Sequence, residues 1–131
     1  MTLLHVVSME VAIGAVREAR EVLTWRLPEV GVVPGTVFAD AVQLVVSELV
    51  ANVVRHAPAS PVAEVGVMVG SGQLFIAVAD EDPRLPDLSP DAMGGGLRTV
   101  AELAAAYDGD ISLAPADGRS GKTVLVRLAM P

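Results

Sequence analysis

The sequence contains no cysteine, which excludes disulfide bonds and thiolate metal sites. Aromatic residues make up only 3% of the chain while hydrophobic residues make up 52%, so a core must be built from Val, Leu, Ile and Ala. Positive charge is also scarce, because Lys and Arg number 9 against 16 Asp and Glu, a formal net charge of −7. With no basic stripe, the sequence argues against nucleic acid as the main partner.

Long hydrophobic runs are missing as well. The longest uncharged apolar stretch, Val65 to Ala79, is interrupted by glycines and a glutamine and is too short to span a bilayer. Near the N-terminus, His5 and Glu10 interrupt the apolar run that a secretory signal needs. We therefore expect a cytoplasmic protein without a membrane segment. The 131 residues fit a single domain, residues 1–131.

Hydrophobic periodicity alternates between strand and helix along the chain. Helices are predicted from Glu10 to Leu27, from an N-cap at Thr36 to His56, and from Leu97 to Tyr107. Strands are predicted at Leu3 to Val7, Val62 to Val69, Leu74 to Ala79, Ile111 to Leu113 and Thr123 to Leu128. A long loop rich in proline, acid and glycine separates the third strand from the third helix. This order predicts an α/β (α+β) two-layer sandwich with the helices on one face of the sheet.

The second predicted helix carries a polar stripe on an otherwise apolar segment. From Leu44 to Val54 it is apolar nearly all round, which is typical of a buried helix. Glu48, Asn52 and His56 are spaced by four residues and therefore share one face. A buried carboxylate and amide need partners, because polar groups are expensive to bury unsatisfied. Either this stripe faces solvent, with His56 stabilising the helix C-terminus, or it holds a ligand.

Three other segments are candidates for ligand contacts. The third strand ends in Asp80, whose carboxylate can accept a hydrogen bond from an exocyclic amine such as that of adenine. The run Gly94 to Leu97 opens a helix, where backbone amides can approach phosphates. Alone, these segments are equally explained as an acidic turn and a hinge. Gly121-Lys122-Thr123 is not a P-loop, since the upstream glycine and following helix are missing, and alone it is only a strand start.

The order and spacing of these segments resemble the GHKL ATPases, a superfamily that includes gyrase, histidine kinases and anti-sigma-factor kinases. Two stretches, Ser47 to Ala57 and Gly121 to Val124, look very like the serine/threonine anti-sigma-factor kinases common in actinobacterial regulators. The resemblance covers almost the whole chain. It implies the histidine-kinase-like ATPase fold, with a mixed, mainly antiparallel sheet.

The resemblance also implies roles for individual residues. Asn52 would hold the Mg²⁺ that bridges the phosphates of ATP, and Glu48 would act as general base or position a reactant near the γ-phosphate. Asp80 would read the adenine amine, with Thr123 assisting. The other nucleotide-binding positions implied are Gly94, Gly96 and Leu97.

The activity implied by the resemblance is transfer of the ATP γ-phosphate to a serine or threonine of an anti-anti-sigma factor. Members of the family also bind a sigma factor, and many form homodimers through the first helix region. The chain is thus expected to be a magnesium-dependent protein kinase and anti-sigma factor. Two alternatives stay open: a non-catalytic regulator that binds a sigma or anti-anti-sigma partner, and the ATP-binding half of a sensor histidine kinase.

The chain departs from the family pattern after Asp80. The GHKL loop usually has a glycine two residues after its aspartate, whereas Asp82 stands there in this sequence. Asp82, Asp87 and Asp91 would repel an ATP tail if they faced it, and Arg84 is the one basic residue of that loop. We expect nucleotide binding to survive and the adenine contact to be altered. No role follows for Arg55 or His56.

Overall fold

Five strands and three α-helices form the part of the chain that the computed structural model describes, residues 2–57, 59–89, 91–115 and 121–131, with only the backbone described for residues 2–6. The strands are β1 (Thr2–Glu10), β2 (Val62–Gly70), β3 (Gln73–Asp80), β4 (Asp110–Pro115) and β5 (Lys122–Ala129). The helices are α1 (Ala15–Arg26), α2 (Val37–His56) and α3 (Gly95–Ala106), and a short 3₁₀ helix, Leu27–Val30, follows α1.

The sheet has the strand order β1-β2-β3-β5-β4, and every described strand pair is antiparallel. Residues along β3 and β5 alternate between buried and half-buried, so the helices cover one face of the sheet. The β2–β3 hairpin turns through Ser71 and Gly72, both with positive φ, the backbone that a type I′ turn requires. The predicted two-layer sandwich with a mainly antiparallel sheet is confirmed.

The predicted boundary that differs most lies between β1 and α1. The sequence pattern starts the first helix at Glu10, but that residue still pairs with Val62 of β2, and the helix begins only at Ala15. Thr36 is the N-cap of α2 as predicted, since its hydroxyl accepts the Ala39 N–H at 3.1 Å.

Helix α2 lies at the centre of the helical layer. Its inward valines are fully buried and form the core with residues of the sheet, α1 and α3. By length and composition α2 is apolar enough to cross a membrane, but 56% of that window is buried inside the fold, as in the core helix of a soluble protein. The core is aliphatic, as the composition predicts, and Phe38 and Tyr107 supply an edge-to-face ring contact at 5.2 Å between α2 and the end of α3.

The end of α3 is fastened to the sheet by backbone contacts around Gly109. Its N–H donates to the Ala104 carbonyl at 2.7 Å, and the Ala129 N–H of β5 donates to the Tyr107 carbonyl at 2.7 Å. A Cβ atom at position 109 would overlap the Arg127 carbonyl oxygen. The absence of a side chain at Gly109 therefore allows α3 to end directly against β5.

We expect Gly109→Ala to lower the free energy of unfolding by about 2 kcal/mol or more, because backbone atoms must shift to admit the methyl group. Urea unfolding followed by circular dichroism measures the change. Gly66→Ala is the matched control, since nothing lies within 4 Å of a Cβ there, and it should unfold at or slightly above the parent midpoint. A Gly109→Ala protein with the parent midpoint would contradict this account of the α3–β5 junction.

Candidate functional site

A cavity of about 380 Å³ lies where the C-terminal half of α2 meets the end of β3, the start of β5 and the loop that leads into α3. This volume falls within the range of small-molecule sites. Four of the residues predicted to bind nucleotide line it, namely Asn52, Asp80, Gly94 and Leu97. Glu48, Gly96 and Thr123 are not part of its wall. Segments that are distant in sequence therefore converge on one cavity, although not every predicted position reaches it.

Glu48 lies beside the cavity, against the first turn of α3. It is half-buried, one helical turn before Asn52. A Cβ atom at Gly96 would be 2.5 Å from the Glu48 Oε2 atom and 3.3 Å from the Arg55 Nη2 atom. Gly96 therefore acts through close approach, because its missing side chain leaves room for this carboxylate and guanidinium. The Glu48 end of the polar stripe on α2 therefore faces the start of α3. The first backbone N–H groups of a helix lack partners within that helix.

Asp80 and Lys122 form a buried ion pair in the cavity wall. The Lys122 Nζ lies 2.9 Å from the Asp80 Oδ1, and the two side chains are only 5% and 2% exposed. The same ammonium donates to the Asp82 carbonyl at 3.0 Å. The two residues are direct neighbours across β3 and β5. The carboxylate expected to read a base is thus already paired with a cation that lines the same cavity.

Thr123 does not lie beside Asp80, contrary to the expectation that it assists there. It is opposite Ala79 in the register, whereas Lys122 is opposite Asp80. Successive strand residues point to opposite faces of a sheet, so Thr123 lies on the face away from the helices. The alternation of residues along β5 indicates this arrangement in advance. Lys122 lies two residues before the buried Val124 and so shares its face of the sheet, and a lysine on a core face needs a buried partner.

Asp82, the residue that stands in place of the usual glycine, fixes the loop after β3. It is fully buried, and its carboxylate accepts hydrogen bonds from the Arg84 N–H at 3.0 Å, Nε at 3.1 Å and Nη2 at 2.9 Å. Its Oδ2 also accepts the Ala59 N–H at 3.4 Å, just beyond α2. The side-chain bond from Arg84 is the main reason that the pKa of Asp82 lies well below its usual range, and the same contact raises the pKa of Arg84.

The three loop acids therefore differ in what they present to a ligand. Asp82 is neutralised by Arg84, and Asp91 is exposed outside the cavity wall. Asp87 does line the cavity, and the Ser89 backbone N–H bound to it at 2.8 Å lowers its pKa. Of the two cations in the wall, Lys122 is paired with Asp80 and Arg84 with Asp82. The negative charge that the three loop acids present to a ligand is therefore reduced to that of Asp87.

Metal ligation by the protein alone is not evident in the described parts of the chain, where no group of three or more His, Cys, Asp or Glu side chains is placed to hold an ion. Asn52 offers one amide oxygen at the cavity, with the Glu48 carboxylate one turn away. Mg²⁺ keeps several waters and is commonly held by one or two protein oxygens together with substrate phosphates. The donor set therefore fits a magnesium ion that arrives with a phosphate ligand.

Solved structures of histidine kinases contain the same fold. Full-length ShkA, in complex with AMPPNP, matches 98% of this chain at 20% identity with a TM-score of 0.59. The Acinetobacter baumannii histidine kinase AdeS matches 97% of it at 20% identity with a TM-score of 0.57. A histidine kinase domain of the Erythrobacter litoralis EL346 blue-light-activated histidine kinase matches 70% of it at 24% identity with a TM-score of 0.56.

These similarities show that the chain has a fold found in histidine kinases. The chain spans 32% of the ShkA structure, 69% of AdeS and 44% of the Erythrobacter domain. No protein-family model and no curated protein matches it.

We expect Asp82→Asn to lower the melting temperature at pH 7, and the difference from the parent to shrink as the pH falls below about 4. The folded pKa of Asp82 is depressed, so its contribution to stability is present above the unfolded pKa and is lost as the pH falls toward the folded value. Thermal unfolding between about pH 7 and pH 2.5 measures this. Glu81→Gln, at the exposed neighbour, should follow the parent throughout. Equal melting temperatures of Asp82→Asn and parent at pH 7 would refute the role of Asp82.

Proposed function

We propose that this chain is an ATP-binding, magnesium-dependent regulator that transfers the γ-phosphate to a serine or threonine of a partner protein, an anti-anti-sigma factor. The proposal depends most on the position of Asn52. This residue lies on the polar stripe of α2 and lines a cavity that is also lined by Asp80 and the start of α3. The fold is that of histidine kinase ATPase domains, and one similar structure, ShkA, is a complex with AMPPNP. The stretches Ser47 to Ala57 and Gly121 to Val124 favour the serine/threonine anti-sigma kinases among proteins of this fold.

In this proposal, Asn52 holds the ion and the phosphates lie along the stripe of α2. Magnesium, when bound, supplies charge that offsets the phosphate oxygens and the leaving ADP. The first turn of α3, beginning at its N-cap Gly94, adds backbone N–H groups at the same end of the cavity. Arg55, whose guanidinium lies near Gly96, provides a further positive charge there. Asp80 and Lys122 stand at the other end of the cavity, where the base binds.

Glu48 is the proposed base. The hydroxyl oxygen of the partner attacks the γ-phosphorus, the bond from that phosphorus to the β-bridging oxygen breaks, and the hydroxyl proton passes to the Glu48 carboxylate. Most of the rate enhancement in phosphoryl transfer comes from positioning and charge stabilisation. Glu48 supports this role because α2 holds it one turn from Asn52, at the edge of the cavity and on the side of α3.

The partners follow from the same proposal. The anti-anti-sigma factor would present its hydroxyl at the α3 side of the cavity, and a sigma factor would bind elsewhere on the surface, without direct contact to nucleic acid or membrane, in the cytoplasm. For a homodimer through the first helix region, the supporting observation is the exposure of two large apolar side chains. Trp25 of α1 is 80% exposed and Val37 at the start of α2 is 78% exposed.

A second candidate function is nucleotide or partner binding without phosphoryl transfer. Glu48 favours it, because its carboxylate lies against Gly96 and does not line the cavity. A carboxylate kept in that position would not reach a reacting hydroxyl within hydrogen-bond distance of the γ-phosphate. Where the second candidate binds nucleotide, the two candidates share the fold and the ligand and differ only in turnover; where it binds only a protein partner, they share the fold.

We expect Asn52→Ala to weaken Mg·ATP binding at least about tenfold, a loss of about 1.4 kcal/mol, because it removes the proposed ligand of the ion. Glu48→Gln should bind Mg·ATP at least as tightly as the parent, because it removes an anion near the phosphates, and should lower transfer by about 10² to 10⁴. Calorimetry measures binding, and transfer of labelled phosphate to a partner encoded beside this chain measures turnover. Asp40→Asn, at the exposed start of the same helix, is the control for both.

The outcomes separate the candidates. No heat with Mg·ATP at millimolar concentration would rule out nucleotide binding in either form. If Mg·ATP binds normally but neither the parent nor any variant transfers labelled phosphate to a partner, the second candidate, binding without transfer, is the function that remains. Equal transfer by Glu48→Gln and the parent would remove Glu48 from the mechanism.

A further inference from the structure

Among the described residues, Lys122 has partners for only two of its three N–H donors. A lysine ammonium carries three N–H donors and no acceptor. Two of them are used by the Asp80 Oδ1 at 2.9 Å and the Asp82 carbonyl at 3.0 Å. Across residues 2–57, 59–89, 91–115 and 121–131 no further acceptor is bound to it, and the side chain lines the cavity. It is also the only lysine of the chain.

Asp80 has acceptor capacity left beside that donor. Its Oδ1 accepts from the Lys122 Nζ and from the Asp82 N–H, both at 2.9 Å. Its Oδ2 accepts no hydrogen bond from the described residues, and a carboxylate oxygen can accept two. Both side chains are almost completely buried and held by these contacts. The cavity wall thus offers a fixed acceptor next to a fixed donor, and both bear charge.

This donor–acceptor pair changes which purines the wall can satisfy. A carboxylate alone suits the 6-amino group of adenine and repels the O6 of a 6-oxopurine, since both are acceptors. With an ammonium beside it, O6 can accept from Lys122 while the N1–H of the same base donates to Asp80. Adenine is also satisfied when the base shifts by one ring position, because its 6-amino group then donates to Asp80 and its N7 accepts from Lys122. Charge-assisted bonds of this kind are shorter and stronger than neutral ones.

We propose that Lys122 is a specificity-determining residue which lets the cavity bind 6-oxopurine nucleotides, GTP and ITP, as well as ATP. The inference rests on the proposed function, because it assumes that the cavity takes a nucleotide with the base at its Asp80 end. A site that leaves a buried polar group unpaired with the wrong ligand discriminates by factors of about 10⁴ to 10⁵. Here neither base leaves Asp80 or Lys122 unsatisfied, so the three dissociation constants should lie within about tenfold of one another.

Calorimetry of the parent chain with Mg·ATP, Mg·GTP and Mg·ITP tests this without any variant. ITP shares O6 and the N1–H with GTP and lacks the 2-amino group, so comparable binding of both assigns the contact to the 6-oxo edge. ATP binding with GTP and ITP weaker by more than about tenfold overturns the inference and leaves the proposed function intact. No binding of any nucleotide overturns both.

Lys122→Met tests the residue itself. The substitution should weaken binding of GTP and ITP at least about tenfold more than binding of ATP. An equal loss of affinity for all three nucleotides contradicts base selection by Lys122. Arg17→Met is the control, since it removes a basic side chain that is exposed on α1. It should leave the dissociation constants for ATP, GTP and ITP unchanged.

Lys122→Met leaves Asp80 buried without its cation, which can prevent folding, so a second measurement uses the unmodified sequence. Selective isotope labelling of lysine gives nuclear magnetic resonance signals from Lys122 alone, since the chain has no other lysine. These side-chain signals should shift on addition of either ATP or GTP at the concentrations that give heat. Unshifted Lys122 signals in the presence of bound nucleotide overturn the inference.

Discussion

Burial of α2 against the sheet is the constraint on which the site depends. Val42, Val45, Val46 and Val50 are fully buried, and burial of each stabilises the fold by about 1.5 kcal/mol. Rotating the helix to submerge Glu48 would expose this valine face and desolvate a carboxylate at the same time. The valines therefore fix the polar stripe at the boundary between core and cavity, where its side chains are available to a ligand.

The loop after β3 gives the opposite end of the cavity its rigidity. Asp82 fixes the loop to α2 through Ala59 and holds Arg84, whose Nη2 also donates to the His56 carbonyl at 3.4 Å. Lys122 joins this loop to β5 through the Asp82 carbonyl. Buried ion pairs stabilise a protein only when their geometry is good and the remaining polar atoms are satisfied. Here the geometry is good, but one Lys122 N–H and the Asp80 Oδ2 have no partner among the described residues. The network therefore fixes the base end of the cavity and leaves two polar groups for a ligand to satisfy.

Local pattern predicts nearly the whole fold, because the strands, helices and the Thr36 cap each depend on nearby residues. The start of α1 is mispredicted because pairing of Glu10 with Val62 is a long-range contact. The site also contains a long-range contact that local pattern does not predict. The approach of Gly96 to Glu48 depends on how α3 packs on α2. The position of Lys122 beside Asp80 was within reach of the sequence, since the period of β5 puts it on the core face.

The phosphate end of the cavity contains a conflict of charge that the base end does not. Glu48 already lies where the first turn of α3 favours an anion, which is also where the phosphates of a nucleotide would gather. Two anionic groups near one helix start repel each other, strongly where water is excluded. Arg55, near the same Gly96, can offset only part of that charge. A bound nucleotide must therefore bring a cation with it or displace the Glu48 carboxylate from α3, and displacement toward the cavity would carry Glu48 to the position that a base needs.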